Sequence, residues 1–262
     1  MQTIQANGAE LHVALSGPET GPAVMFSNSL GTDLRVWDDL IPHLPQGLRL
    51  VRYDKRGHGL SEETPGPYAI ETLADDAAAL IDALGLGRVV FVGLSIGGLI
   101  GQSLAARRPD LLAGLVISNS AAKIGDAAMW GARIGAIRQN GLASIAAPTM
   151  ERWFSPAFRA EGRDGPWRRM LARQPQEGYI ACCEAIAGAD LSAAARDLGL
   201  PVQVIAGGHD GSTPPDLVRA TADLIPGARF DVIDEAAHLP CVEAPAAHAA
   251  LLSRFLKDIG HV

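Results

Sequence analysis

The feature that most constrains the fold is an apolar run that ends in a serine flanked by glycines. Residues 88–94 read Arg-Val-Val-Phe-Val-Gly-Leu, and Ser-Ile-Gly follows at 95–97. This run predicts a strand that is buried on both faces of a parallel sheet. The segment 96–107 predicts a helix. Small residues at positions 93 and 97 allow a sharp turn between the two elements, so Ser95 is predicted to lie at the apex of that turn.

Strand-like and helix-like segments alternate on both sides of this turn. A helix is predicted over 72–84, with Thr72 as its N-cap and Gly85 as its end, and a last helix over about 243–258. The other predicted strands are short aliphatic runs bounded by Gly, Pro or Asn. They cover residues 11–16, 23–28, 48–53, 114–119, 201–206 and 229–234. This order predicts an α/β fold with a doubly wound, mostly parallel sheet.

The alternation stops between residues 121 and 191, where we find no convincing strand. This segment carries Trp130, Trp153 and Trp167, and its helical stretches are broken by glycine and proline. We therefore expect one α/β sheet that is interrupted by a helical cap insertion. The expected division is a first core part over 1–120, the cap over 121–191 and a second core part over 192–262.

Composition and charge exclude several classes of function. The 262 residues carry a formal net charge of −7. A nucleic-acid partner is therefore not expected, because phosphate binding needs a concentrated basic surface. No spacing of His, Asp or Glu indicates a metal site. We expect no metal and no cofactor.

Cysteine usage and hydropathy bear on the location of the protein. Cys182, Cys183 and Cys241 are predicted to be free thiols in a reducing compartment. The N-terminus has no basic start followed by an apolar stretch, and no apolar run reaches the roughly 18 residues that a transmembrane helix needs. We therefore expect a cytoplasmic protein without a membrane partner, and the sequence leaves the oligomeric state open.

Ser95 is the candidate nucleophile, since the predicted turn exposes its hydroxyl at one edge of the sheet. A serine hydroxyl needs a neighbouring base to take its proton. Asp210 follows the predicted strand 201–206, and His238 lies in the loop before the last helix. That chain order of Ser, acid and His suits a strand–turn–helix nucleophile. We predict that His238 Nε2 accepts the Ser95 proton while Asp210 holds His238 Nδ1–H.

Each of these assignments has a structural alternative. Asp210 could close a turn beside Gly211, and the sequence Gly-x-Ser-x-Gly also occurs in ordinary loops. His58 belongs to the polar, glycine-rich stretch 52–61. We interpret that stretch as a tight, internally hydrogen-bonded turn and do not count His58 as catalytic.

Acyl transfer also requires hydrogen-bond donors for the tetrahedral oxyanion. One predicted donor is the backbone N–H of Ile96, directly after the nucleophile. The other is the backbone N–H of Leu30, in the loop 27–31 that follows an early strand. The alternative is that this loop is a plain turn terminated by Gly31.

Together these motifs resemble the α/β-hydrolase superfamily across the full chain. Many of its members have His-Gly in the oxyanion loop, where this chain has Asn28-Ser29. With that departure the chain resembles the 3-oxoadipate enol-lactonases. The segments that carry this closer resemblance are 28–37, 121–125, 130, 133–134, 151–154, 178–179, 182–183, 189–191, 213–215 and 236–239.

The resemblance implies an α/β-hydrolase fold and cofactor-free hydrolysis of 3-oxoadipate enol-lactone, a small anionic lactone of bacterial aromatic catabolism. Because the protein is acidic overall, an anionic substrate needs local positive charge. We expect Arg133 to hold the substrate carboxylate, and Trp130 and Trp153 to wall the pocket over Ser95.

Other functions are compatible with the same residues. A carboxylesterase, a C–C bond hydrolase and a perhydrolase use the same triad. A relative that binds a small molecule without catalysis is the alternative from another class. For any one arginine of the cap, the alternative is a solvated helix face.

Overall fold

The computed structural model describes residues 2–262, which form one eight-stranded sheet with helices packed on it. The strands are β1 Gln2–Ala6, β2 Ala9–Ser16, β3 Ala23–Ser27, β4 Arg49–Tyr53, β5 Val89–Leu94, β6 Leu112–Ser118, β7 Val202–Gly207 and β8 Arg229–Ile233. The helices are α1 Ile70–Ala83, α2 Ile96–Arg107, α3 Ala127–Asn140, α4 Ala146–Trp153, α5 Pro156–Ala160, α6 Gly165–Ala172, α7 Gln176–Gly188, α8 Ser192–Arg196, α9 Pro215–Leu224, α10 Pro240–Glu243 and α11 Pro245–Asp258.

The strand order is β1-β2-β4-β3-β5-β6-β7-β8. Strands β3 to β8 are parallel to one another, and β2 runs antiparallel to both of its neighbours. The predicted fold class is therefore confirmed, and the predicted strands match the observed ones to within two residues at each end. The carboxyl ends of the six parallel strands lie at one edge of the sheet, where open α/β folds place their functional groups.

The sequence pattern predicts no strand before residue 11, but β1 lies at Gln2–Ala6, so this prediction is wrong. Strand β1 pairs with β2 through a two-residue turn at Asn7 and Gly8, in which both residues have positive φ. Asn-Gly with positive φ at both positions is the favoured type I′ hairpin turn. The dipeptide was therefore a hairpin signal that the strand analysis did not use.

The first helix begins earlier than predicted. Helix α1 starts at Ile70, Ala69 is its N-cap, and no side chain caps it, so Thr72 lies inside the helix. Ile70 is buried with the rest of the apolar face, so tertiary packing rather than capping determines where the helix begins. Gly85 follows the helix with φ +59, as expected of a glycine that ends a helix.

The predicted last helix corresponds to α11, which begins two residues later than predicted, at Pro245, and ends at Asp258 as predicted. The short helix α10 precedes it and ends at Glu243, and Ala244 between the two helices has φ −135 and ψ 57. A residue that precedes proline is pushed out of the helical region by the proline ring. Pro245 then occupies the first turn of α11, where its missing N–H costs nothing.

The central strands make the rigid part of the molecule. Every residue of β3, β5 and β7 is buried, as predicted for strands covered on both faces. Helix α2 packs on β5 and β6, and α9 packs on β7. The strands and the helix next to Leu30, Ser95 and Asp210 are therefore held by the centre of the core.

Helices occupy the stretch between β6 and β7, and the described chain has no strand there. Helix α3 packs against α7, and α4 packs against α6. Helix α8, just after residue 191, instead packs against α2 and α9 of the sheet layers. We keep 121–191 as the proposed extent of the cap, since the change of packing partners at α8 supports that boundary.

Two further expectations concern cysteines and membranes. Cys182, Cys183 and Cys241 are free and buried, as predicted. Within residues 2–262, no helix combines the length and the apolar character needed to span a bilayer.

His248 of α11 is buried without any hydrogen-bond partner for its ring nitrogens among residues 2–262. Its ring lies 6.4 Å from that of Trp37, centroid to centroid. Burial lowers the pKa of His248 from 6.5 to about 4. Between these values the unfolded chain binds a proton that the folded chain excludes. The contribution of His248 to stability is therefore complete above pH 6.5 and is lost as the pH falls toward 4.

We expect the unfolding free energy of His248→Leu to fall less steeply than that of the parent as the pH decreases from 6.5 to about 4. In the parent, the proton that His248 binds only in the unfolded chain should lower the unfolding free energy by up to about 1.4 kcal/mol per pH unit between pH 6.5 and about 4. Urea unfolding at several pH values measures the slopes. His43→Leu, at an exposed histidine, is the control for loss of an imidazole. Parallel slopes for the parent and His248→Leu would show that another group is responsible.

Candidate active site

Ser95 occupies a strained turn between β5 and α2. Its backbone has φ +57 and ψ −119, which is unusual for a residue with a side chain. A Cβ at Gly93 would collide with the carbonyl oxygen of Gly97, and a Cβ at Gly97 would collide with that of Ser27. Glycine is therefore required at both positions, and the predicted location of Ser95 at the apex of a strand-to-helix turn is confirmed.

Asp210 and His238 follow the ends of the two strands β7 and β8. His238 Nδ1 lies 2.8 Å from Asp210 Oδ2, and both side chains are buried. Ser95 and His238 line the same cavity. In the described part of the chain no hydrogen bond joins Ser95 Oγ to His238, and His238 Nε2 lies 3.5 Å from the Ser29 hydroxyl. Catalytic hydrogen bonds of this kind often tighten only when substrate is bound.

The Asp210 carboxylate is held by more donors than His238 alone. Oδ1 accepts the backbone N–H groups of Ser212 at 2.7 Å and Thr213 at 2.9 Å. Oδ2 accepts the Thr213 hydroxyl at 2.8 Å and the Asn119 amide at 2.9 Å. Burial alone would raise the pKa of Asp210, but the charge of His238 and these hydrogen bonds lower it below its usual value. Asp210 is thus kept ionised and correctly oriented.

Sequence analysis missed Asn119 and Thr213. Asn119 follows β6 directly and has a positive φ of 48. Its amide also donates to the carbonyl of Ala237 at 2.9 Å, and so ties the Asp210 loop to the His238 loop. A polar residue immediately after a buried parallel strand was the available signal, because such residues gather at the functional edge of the sheet.

The two predicted oxyanion donors lie on opposite sides of the turn. Leu30 belongs to the loop 28–33 that follows β3, and Ile96 is the first residue of α2. The loop hydrogen bonds described for residues 2–262 include no acceptor for either N–H. Leu30 lines the cavity together with Ser95. Ile96 is buried and is not among the residues that line the cavity, so the role of the two amides as an oxyanion hole stays a proposal.

The cavity has a volume of about 390 Å³. It collects Ser95, His238, Leu30 and all three residues that we predicted for substrate binding. Its lining comprises Ser29, Leu30, Ser95, Ile124, Met129, Trp130, Arg133, Arg152, Trp153, Tyr179, Ile186, Gly211, Ser212, Thr213 and His238. The lining thus includes several hydroxyl groups and one imidazole, and residues 121–191 supply eight of its fifteen members.

Two arginines reach the cavity from the cap. Arg133 donates to the hydroxyls of Tyr179 and Thr149, and Arg152 donates to the same Thr149 hydroxyl. Within residues 2–262, neither guanidinium has an ion-pair partner. Burial and the neighbouring Arg133 charge lower the pKa of Arg152 from its ordinary value. The wall of the cavity therefore carries positive charge that the protein itself does not neutralise.

Trp130 and Trp153 are buried cap residues. Trp130 Nε1 donates to the carbonyl of Ile124 at 2.7 Å, which fixes its ring. The carbonyl of Trp153 accepts the backbone N–H of His238 at 3.0 Å, and that of Arg152 accepts the N–H of Gly211 at 3.2 Å. Backbone hydrogen bonds thus join the cap directly to the loops that hold His238 and Asp210.

His58 does not line the cavity. The stretch around it is an internally bonded turn, in which the Ser61 N–H donates to the His58 carbonyl and the His58 N–H to the Lys55 carbonyl. The interpretation of this stretch as a turn is confirmed. A search of residues 2–262 also finds no cluster of three side chains that could hold a metal ion.

Comparison with known proteins identifies the family. The α/β-hydrolase fold family model matches residues 22–144. 3-Oxoadipate enol-lactonase 2 of Acinetobacter baylyi is 38% identical over 259 residues, which is 97% of each chain. 3-Oxoadipate enol-lactonase 1 of the same organism is 35% identical over 96% of this chain and 95% of its own.

Solved structures agree with this relationship. The enol-lactonase from Burkholderia xenovorans LB400 superposes with a TM-score of 0.94 at 37% identity, covering 98% of this chain and 100% of that one. A thermophilic esterase from Thermogutta terrifontis superposes with a TM-score of 0.91 at 28% identity over the full length of both chains. The resemblance stated from the sequence is therefore confirmed. This chain belongs to the α/β-hydrolase family, within the group that contains the 3-oxoadipate enol-lactonases.

Proposed function

We propose that this protein hydrolyses 3-oxoadipate enol-lactone to 3-oxoadipate, as a cytoplasmic enzyme of bacterial aromatic catabolism. The observation that carries the proposal is the combination, in one cavity, of Ser95 and His238 with two arginines that have no ion-pair partner among residues 2–262. The relatives named 3-oxoadipate enol-lactonase support the choice of lactone. Three buried free cysteines support a reducing compartment.

Ser95, His238 and Asp210 form the proposed catalytic triad. His238 Nε2 takes the proton of Ser95 as Oγ attacks the lactone carbonyl carbon. Asp210 Oδ2, 2.8 Å from His238 Nδ1, holds the ring in the tautomer that leaves Nε2 free. The imidazolium that forms is stabilised by the same carboxylate.

The tetrahedral intermediate places a negative charge on the former carbonyl oxygen. The N–H groups of Leu30 and Ile96 are the proposed donors to that oxygen. Ile96 is also the first residue of α2, so the positive end of the helix dipole favours negative charge at this point. Both donors act most strongly on the intermediate, because the substrate carbonyl carries less charge.

Ring opening then breaks the bond between the acyl carbon and the ring oxygen. The oxygen leaves as an enolate, which is a good leaving group and takes the proton that His238 holds, so Nε2 can act as a base again. The enol that results tautomerises to the ketone. A water molecule next gives a proton to His238 Nε2 and attacks the acyl-serine carbonyl. The second tetrahedral intermediate collapses with return of the proton to Ser95 Oγ, which releases 3-oxoadipate.

The cap arginines are proposed to bind the acetate arm of the substrate. A carboxylate between Arg133 and Arg152 would accept hydrogen bonds from two cations that have no other ion partner among residues 2–262. Trp130 and Trp153 supply the apolar walls of the same cavity. The anionic arm thereby fixes the position of the lactone carbonyl over Ser95.

The direct test is hydrolysis of the enol-lactone by purified protein without added metal or cofactor. We expect rapid loss of the lactone and a kcat/KM well above that for p-nitrophenyl acetate. A protein that cleaves the simple ester and ignores the lactone would be a general carboxylesterase. Absence of turnover on both, with no labelling of Ser95 by a fluorophosphonate, would favour a non-catalytic relative.

We expect Ser95→Ala and His238→Ala each to remove nearly all turnover while leaving the unfolding midpoint close to that of the parent. The triad acts as one unit, so the double variant should be little worse than either single variant. Steady-state kinetics on the enol-lactone and thermal unfolding measure the two quantities. Turnover by Ser95→Ala above about one per cent of the parent would exclude Ser95 as the nucleophile.

Asp210→Asn should keep the packing and lower kcat by roughly 10⁴, because an amide donating to Nδ1 favours the wrong histidine tautomer. The magnitude is that of the same substitution in a serine protease triad. Asp231→Asn, on β8 and outside the cavity, is a suitable control. An active Asp210→Asn would mean that a different acid orients His238.

Arg133→Ala should weaken kcat/KM for the anionic lactone by about 1.5–3 kcal/mol, which is the range for a hydrogen bond to a charged group. The kcat/KM for a neutral ester should stay unchanged. Arg138→Ala is the matched control, since Arg138 lies exposed on the same helix and pairs with Glu184 at 3.6 Å. Equal losses on both substrates, or no loss on either, would remove Arg133 from the binding site.

A further inference from the structure

The turn formed by residues 54–61 holds the loop 28–33 at several successive points. Lys55 Nζ donates to the carbonyl of Ser29 at 2.8 Å. The Gly31 N–H donates to His58 Nε2 at 3.0 Å. Asp54 Oδ1 accepts the N–H of Leu34 at 2.7 Å, where the loop ends. The loop that carries the proposed oxyanion donor is thus shaped by a turn to which the proposed function assigns no role.

Lys55 is an unusual member of this turn because it is buried to 1% exposure. A buried ammonium is costly unless it is paired. Within residues 2–262, Lys55 has no ion pair, and its one side-chain hydrogen bond is the bond to Ser29. Burial lowers the pKa of Lys55 to about 8, while the nearby Asp54 and Asp33 carboxylates favour its charged form. The bond to the Ser29 carbonyl is also one that an ammonium can make, because that group only donates.

The acceptor of this hydrogen bond belongs to the peptide that supplies the Leu30 N–H. Peptide groups are planar and trans, so the Ser29 carbonyl and the Leu30 N–H point in opposite directions. Lys55 lies at the oxygen end of that peptide, and Leu30, which carries the N–H, lines the same cavity as Ser95. The Ser29 oxygen also accepts the Thr32 N–H at 3.2 Å and the Thr32 hydroxyl at 3.0 Å.

A cation at the carbonyl end changes the strength of the donor at the other end. It draws electron density toward the oxygen and leaves the N–H more positive, and hydrogen bonds in a chain reinforce one another in this way. The effect is large where the bond is charge-assisted and water is excluded. His58 acts by geometry instead: its Nε2 accepts from Gly31, and burial and the Lys55 charge keep the pKa of His58 well below its usual value.

We propose that Lys55 is a positioning residue of the oxyanion hole, whose ammonium fixes and polarises the Ser29–Leu30 peptide so that the Leu30 N–H stabilises the tetrahedral oxyanion. The inference rests on the proposed function, because it requires the Leu30 amide to face that oxygen. Since the oxyanion exists only after attack by Ser95, the contribution of Lys55 falls on kcat and not on KM.

Lys55→Met removes the charge and nearly keeps the length of the side chain. We expect kcat to fall on the order of tenfold, which is less than the roughly 10²–10³-fold cost of losing an oxyanion donor outright. KM should stay unchanged. The inhibition constant of phenylboronic acid, which becomes a tetrahedral anion on Ser95, should rise by the same factor as kcat falls. Lys257→Met, at an exposed lysine near the end of α11, is the control.

The comparison of these quantities separates polarisation from a general loss of structure. A folded Lys55→Met with the parent kcat overturns the proposal. So does a variant in which KM rises as much as kcat falls, since that pattern indicates a distorted cavity. If Lys55→Met does not fold, Lys55→Gln decides, because it keeps a neutral donor: the parent kcat in this variant overturns the proposal, and a lowered kcat with unchanged KM supports it.

The boronate measurement also separates this inference from the proposed function. If the parent ignores the enol-lactone, the proposed substrate fails, while kcat on p-nitrophenyl acetate and the boronate constants still test Lys55. If Ser95→Ala binds the boronate as tightly as the parent, the proposed nucleophile fails and the Lys55 inference fails with it. The supporting result has three parts: the parent binds the boronate tightly, Ser95→Ala does not bind it, and Lys55→Met binds it more weakly than the parent. This result supports the Lys55 inference whether or not the enol-lactone is the substrate.

Discussion

The left-handed backbone at Ser95 is the constraint on which the rest of the site depends. A non-glycine residue in this conformation costs on the order of 1–3 kcal/mol and persists only where the surroundings hold it. Here the fully buried strand β5 precedes Ser95 and α2 follows it directly. The turn therefore cannot relax without disturbing the centre of the sheet, and the hydroxyl keeps a fixed position relative to the ends of β6, β7 and β8.

Most of the sheet and the three residues of the proposed triad could be predicted from the sequence because their signals are local, whereas Trp130, Arg133 and Trp153 were named from the family resemblance. An aliphatic run specifies a buried strand, and the polar residue after it lies at a known edge of the sheet, which is how Asp210 was found. The start of α1 could not be predicted, because burial of Ile70 outweighs the capping potential of Thr72. The sequence also could not show that Arg152 has no ion-pair partner among residues 2–262, since ion pairing depends on which carboxylates the fold brings near the guanidinium.

The backbone of the cap forms hydrogen bonds to the loops that carry Asp210 and His238, and so helps to hold these loops in place. The carbonyls of Arg152 and Trp153 accept the N–H groups of Gly211 and His238. Glu243 adds a second link, since its carboxylate accepts the N–H groups of both Ala237 and Ser155. A shift of α4 would therefore move Arg152 and the proposed base together. Such coupling keeps the carboxylate site in register with the reacting carbonyl.

Positive charge in this acidic protein is placed at two points that act on different stages of the reaction. Arg133 and Arg152 line the cavity, and under the proposed function they attract the carboxylate of the substrate before and after the bond changes and so contribute to binding. Lys55 lies behind the Ser29 carbonyl and reaches the cavity only through a peptide bond. Its field matters where negative charge develops, at the oxyanion, and is weak at the neutral lactone. A residue that assists the transition state without touching the substrate can improve kcat without tightening the ground-state complex.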